Sequence, residues 1–214
     1  MNEARIKRDV IVIGASRGGV HALQHLCARL PKDLPAIVGV VIHRSPWYAS
    51  NIEAIYHRPG QISVREPHSG EVFKRSTLYF APSDHHMHFL PEGIVLRRGP
   101  KVHFARPAAD VLFTSAAESF GERVAGIVLT GGGADGSDGL VSIKAHHGLS
   151  IIQDPTESQD ASMPLTALRE DSVNAAVSLE QLPALIRALA LGLEWHVTPK
   201  TRGDHPHDLS ALAG

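Results

Sequence analysis

Apolar positions along the chain fall into short unbroken runs, separated by stretches in which they recur every three or four residues. Val10–Ile13, Ala36–His43 ("AIVGVVIH") and Val124–Thr130 ("VAGIVLT") are runs of strand length rich in β-branched residues, the pattern of strands buried on both faces. Gly19–Leu30 has helical spacing and stops at Pro31. Residues 48–57 read as a helix ending before Pro59, Ala109–Phe120 as another, and a further helix runs from the glycine-rich "GGGADGSDG" to about His146. Ile62–Arg65, Thr77–Ala81, His86–Leu90 and Ile94–Arg97 read as shorter, more alternating strands, the last two joined at Pro91–Gly93 as a hairpin. "LSIIQ" and "VNAAV" add two short strands. Ser178, with Gln181 three residues on, forms a capping box for a last helix to about Leu191.

Buried strands alternating with amphipathic helices predict an α/β fold: a doubly wound, mostly parallel sheet flanked by helices, with an antiparallel hairpin between Thr77 and Arg97 as an insertion or edge. Residues 1–194 form one domain in this reading. Residues 195–214, polar and rich in turn formers, are expected to be a mobile tail.

Composition narrows the function classes. Of 214 residues, 43% are hydrophobic and 20% charged, as in a soluble globular protein. Lys plus Arg number 21 against 22 Asp plus Glu, a net charge of -1, so charge gives no reason to expect nucleic acid or an anionic membrane as partner. No apolar run reaches the roughly 18 residues of a membrane span and no signal core is present, so a cytoplasmic location without membrane insertion is expected. The single cysteine, Cys27, lies among Leu23, Leu26 and Leu30 and reads as a buried structural thiol. The fourteen histidines are densest in "DHHMHFL", where His86 and His88 share one strand face. No zinc-type spacing accompanies them, and neither a metal nor a cofactor is expected.

In open α/β sheets ligands bind beyond the carboxyl ends of the strands. Gly14-Ala15-Ser16-Arg17-Gly18 follows the first strand and satisfies G-x-S-x-G, a turn that can present a nucleophilic serine. A glycine-rich strand–helix turn also cradles a dinucleotide pyrophosphate. The second strand separates the two readings. A dinucleotide fold places an acid at its end, whereas "VVIHR" places His43, a residue suited to general-base work. Past the third apolar strand stand Asp135 and Asp138. Asp138 or Ser137 suits the N-cap of the following helix, and Asp135, in the turn itself, is the choice for an acid orienting His43.

The segments "IGASRGG", His43, "LYFAPSDHHMHF", "RPAADVLFTSAA", "VLTGGGADGSDGL" and "QDPTESQDASMPLTAL" occur in the order seen in CheB-type protein-glutamate methylesterases, whose catalytic domain the chain resembles over about residues 9 to 190. That resemblance implies hydrolysis of γ-glutamyl methyl esters on the helical region of chemotaxis receptors, with deamidation of receptor glutamines in many members. It implies Ser16 as nucleophile, His43 as base and Asp135 as the acid. Backbone N–H groups near Arg17, Gly132 and Gly133 are the oxyanion candidates, and Arg106 and the loop of His85, His86 and Met87 are expected to line the cleft. The sequence departs from the family pattern at Arg17, where a threonine is usual, at Gly132, where methionine is common, at Ile42, usually glutamine, and in "RSPWY". The chain enters the first strand by residue 9, so no receiver domain is expected, and control would fall to a separate response regulator or adaptor. Two alternatives stay open: a catalytically altered module that binds a receptor or adaptor, and a nicotinamide-dependent enzyme.

Overall fold

The computed structural model describes residues 6–44, 50–171 and 173–195. In chain order the elements are β1 (Val10–Ala15), α1 (Gly19–Cys27), β2 (Ile37–Ile42), α2 (Ile52–Tyr56), β3 (Ser63–Arg65), β4 (Thr77–Phe80), β5 (His86–Leu90) and β6 (Gly93–Arg97). They continue with α3 (Ala109–Phe120), β7 (Val124–Val128), α4 (Ser137–Ala145), β8 (Leu149–Gln153), α5 (Ser162–Glu170), β9 (Ala175–Val177) and α6 (Leu182–Leu191). Seven strands form one parallel sheet in the order β3-β4-β2-β1-β7-β8-β9, and β5 pairs with β6 in a separate antiparallel hairpin. The fold is therefore the doubly wound α/β architecture that the alternation predicts.

Successive strand side chains point to opposite faces, and the two core clusters follow that alternation. Ile11, Ile13, Val38, Val40, Ile42, Ala125 and Ile127 face α1, α2 and α6, where Leu23, Leu26, Tyr56, Leu185 and Ile186 are buried. Val10, Val12, Val41, Val124 and Val128 face α3, α4, α5 and the hairpin, meeting Leu112, Phe113, Leu140, Met163 and Phe89. Cys27 is buried on α1, and burial pushes its thiol up to about 12, so it stays protonated.

On the second face the central strands carry small residues in register. Val12 pairs with Gly39 on one side and Gly126 on the other, and Gly14 lies between Val41 and Val128. A side chain at any of the three glycines would collide with what packs there. A Cβ at Gly39 would sit 2.7 Å from the Phe89 ring, one at Gly126 2.4 Å from Ile143 Cδ1, and one at Gly14 2.7 Å from Ala109 Cβ. Glycine at these positions lets α3 and α4 lie directly on the sheet, and at Gly14 it brings the first residue of α3 against the end of β1.

Several local expectations change. Ile62–Arg65 and Thr77–Ala81 read as alternating strands akin to the hairpin, but β3 and β4 are parallel members of the main sheet. Every residue of β4 is buried because β4 lies between β2 and β3 with both faces covered. The antiparallel part is confined to His86–Arg97. Helix α5 is an element that the sequence reading does not contain, and it includes Pro164. The proline falls in the first turn, where its missing N–H has no intrahelical partner to lose. The capping box precedes α6 as expected, with Gln181 N donating to Ser178 Oγ at 3.3 Å, while the helix itself begins at Leu182. The helix expected over 48–57 appears as α2, capped by the Asn51 side chain. Residues 45–49 and the expected tail beyond Trp195 lie outside the described residues.

Gly14→Ala places a methyl where only the rigid Cβ of Ala109 could yield. The expected outcome is a loss of about 1–3 kcal/mol in urea unfolding, the usual range for overpacking a dense core.

Candidate active site

Strands β1, β2 and β7 are adjacent and parallel, so the residues just past their carboxyl ends converge on one edge of the sheet. Ala15 and Ile42 are register partners and His43 N–H donates to Ala15 O at 3.1 Å, which sets Ser16 and His43 side by side at neighbouring strand ends. Asp135 arrives from the turn after β7. His43 Nε2 lies 2.6 Å from Asp135 Oδ2. With the carboxylate ionised, Nε2 carries the ring proton and donates it to Asp135. Nδ1 is then the nitrogen that keeps its lone pair.

Asp135 is held by a helix end. Its Oδ2 also accepts from Ala109 N at 2.7 Å, and its Oδ1 accepts from Asp110 N at 3.0 Å. These are the first two amides of α3, whose N-cap, Ala108, has no side chain able to cap them. Helix-terminal N–H groups favour negative charge. Burial alone would raise the Asp135 carboxyl. The His43 hydrogen bond and the Ala109 and Asp110 amides outweigh burial and hold it below the usual carboxylate range. The exchange is reciprocal: Asp110 Oδ1 accepts from Gly136 N at 2.9 Å and Gly139 N at 2.7 Å, the entry of α4. This corrects the expectation that Asp138 or Ser137 caps α4. Gly136 occupies the N-cap with φ 101°, and the capping carboxylate comes from α3. The Asp110 carboxyl is pushed up to about 7, first by burial and then by the charge of Asp135.

The turn around Ser16 is packed against the 153–163 segment. Ser16 N–H donates to Thr130 O at 3.1 Å and Gly131 N–H to Asp160 O at 2.8 Å, so neither is available to a ligand. The N–H groups of Arg17, Gly132 and Gly133 have no acceptor among the described residues, which leaves them able to receive a developing oxyanion. Thr130 Oγ1 donates to Arg17 O at 3.0 Å and accepts from Asp160 N at 3.0 Å, tying the serine turn to this segment. The Arg17 side chain is 75% exposed and reaches Asp160 Oδ2 at 3.7 Å, a surface pair of small energetic weight.

A cavity of about 990 Å³ opens beside His43, lined among others by Arg44, Asp84, His85, Lys101, His103 and Arg106. His43 is shared between this cavity and the contact with Asp135, while Ser16 lies off the lining. Arg106 lines the cavity and is clamped by Asp84 and by Gly99 O at 2.6 Å. His86 and Met87 take another place. His86 is buried, with Nε2 2.8 Å from Pro100 O and Nδ1 accepting from Ala108 N at 3.3 Å, and it braces the cavity loop from behind. Met87 is fully buried in the core. The residue of this segment that lines the cavity is His85, because the strand begins only at His86. Sequence reasoning passed over Asp110 and Asp84. No spacing marks them, since their partners lie on other elements.

The family model described as CheB methylesterase matches residues 11–186. The chain belongs to the CheB methylesterase family. It is 35% identical over 189 residues to a "Protein-glutamate methylesterase/protein-glutamine glutaminase" of Pyrococcus abyssi, a match covering 86% of this chain and 51% of that protein. It is 32% identical to a putative protein of the same description from Leptospira interrogans, covering 83% of this chain and 92% of that one. The crystal structure of the Thermotoga maritima CheB methylesterase catalytic domain superposes with a TM-score of 0.76 at 26% identity, covering 86% of this chain and all of that domain. The chain thus spans about half the length of the Pyrococcus relative and corresponds to the catalytic domain. No helix among the described residues is long and apolar enough to cross a membrane.

Two outcomes test this geometry. Asp135 has a folded pKa below its unfolded value, so its contribution to stability is complete above the ordinary carboxylate pKa of about 3.9 and is lost as pH falls through the folded value. Asp135→Asn should therefore be less stable by about 1–3 kcal/mol near neutrality. In urea unfolding the gap to wild type should narrow progressively below about pH 4. At Gly131, an added Cβ would sit 2.8 Å from Ser16 Cβ and 2.1 Å from Met163 Sδ. Gly131→Ala should shift the serine and lower kcat about 100-fold in an ester-hydrolysis assay, the scale of a roughly 1 Å misplacement.

Proposed function

We propose that this chain is a serine hydrolase that cleaves γ-glutamyl methyl esters on the helical region of chemotaxis-type receptors, giving glutamate and methanol. The observation that carries the reading is the 2.6 Å contact between His43 and Asp135 beside the turn that holds Ser16, with the acid kept ionised by a helix N-terminus. Ser16 Oγ attacks the ester carbonyl carbon while its proton passes to His43 Nδ1. Asp135 holds the resulting imidazolium. The negative charge on the carbonyl oxygen meets the N–H groups of Arg17 and Gly132. Collapse breaks the bond to methoxide, which takes the proton from His43 and leaves as methanol. Water then attacks the acyl-serine ester, yields its proton to His43, and releases the glutamate carboxylate with Ser16 Oγ–H restored.

The same acyl-enzyme can form from a glutamine amide with ammonia as the leaving group, so deamidation needs no additional group. The names of the Pyrococcus and Leptospira relatives support both activities. The partner is the methylated region of a receptor, the setting is the cytoplasm, and a separate response regulator or adaptor supplies control. The lining of the cavity beside His43, with Arg44, Lys101 and Arg106 among it, suits a segment that carries carboxylates next to the esterified glutamate.

The test is methanol release from methylated chemoreceptor membranes, with a known methylesterase as control. Wild type should release methanol, and Ser16→Ala should lower the rate at least about 1,000-fold with an unchanged circular dichroism spectrum. Silence from the wild type beside a working control would instead point to a different ester or to a binding module of this fold.

A further inference from the structure

The carboxylates exchanged between α3 and α4 leave one oxygen over. Asp110 Oδ1 receives the two α4 amides, but Asp110 Oδ2 is buried and accepts no hydrogen bond among the described residues. The Asp110 side chain is only 8% exposed, and such an oxygen is unfavourable unless a cation or proton meets it. Two further ligating groups converge on it. His103 Nε2 stands 3.1 Å from Asp110 Oδ2 and 3.7 Å from Asp138 Oδ2, and one ligand atom from each residue lies within 4.8 Å of the others. A four-coordinate zinc ion with bonds of about 2.1 Å holds its ligand atoms about 3.4 Å apart. The two measured separations bracket that value.

We infer that His103, Asp110 and Asp138 form a binding site for a divalent cation of the zinc class, its coordination completed by water. One imidazole and two carboxylates suit zinc better than magnesium or calcium, which take oxygen ligands. The two carboxylates offset the charge of the ion. Asp110 is already oriented by the Gly136 and Gly139 amides bonded to its other oxygen, the kind of support that fixes a metal ligand. His103 sits in the loop lining the cavity, with φ 46°, and Asp138 is on the first turn of α4. A bound ion would fasten the cavity wall to the helix entry, next to Asp135, whose Oδ1 accepts from the Asp110 amide. The inference is independent of the esterase reading.

The test uses the whole chain after chelator treatment, titrated with zinc by calorimetry and with cobalt by visible absorption. The expected result is one ion per chain, cobalt bands of tetrahedral intensity and a raised Tm on zinc addition. His103→Ala and Asp138→Asn, each with an unchanged circular dichroism spectrum, should weaken zinc binding at least about tenfold. Asp138 is 76% exposed, so its substitution leaves the core untouched. Absence of heat and of cobalt bands in the wild type would overturn the site. So would wild-type affinity in either variant, because the ion would then belong to other histidines among the fourteen.

Discussion

Neither α3 nor α4 carries a capping side chain of its own, and the two helices meet that need by exchanging carboxylates. Asp135, from the approach to α4, takes the first two amides of α3, and Asp110, from the first turn of α3, takes two at the entry of α4. Unpaired amides at a buried helix end are costly, and each carboxylate supplied from elsewhere removes that cost while gaining the favourable field of the helix terminus. The consequence for chemistry is direct. A carboxyl group as buried as Asp135 would ordinarily be pushed toward protonation, and here the α3 amides keep it charged and aimed at His43. The helix end thereby orients the imidazole.

That arrangement requires α3 to approach the sheet closely, and the glycines make the approach. With Gly14 at the end of β1 and Gly39 and Gly126 beside Val12, the helix lies against bare backbone and its first residue touches the strand that delivers Ser16. Gly131 does the equivalent on the other flank, where Met163 and Ser16 leave no room for a side chain. The 153–163 segment then closes over the serine turn through Thr130 and Asp160. Backbone surfaces thus set much of the site's dimensions.

The sequence by itself determined the layered architecture. Continuous β-branched runs such as Val10–Ile13 can be buried only between two helical layers, and the spacing of Leu23, Leu26 and Leu30 suits a single face. It also marked Ser16, His43 and Asp135, because residues just past strand ends in such a sheet necessarily share one edge. Strand β4 was misplaced because a four-residue run does not reveal its neighbours. Only the tertiary structure decided which carboxylate capped which helix, that His86 and Met87 faced inward, and that His103, Asp110 and Asp138 met. Each of these rests on contacts between segments far apart in the chain, and local periodicity carries no information about such contacts.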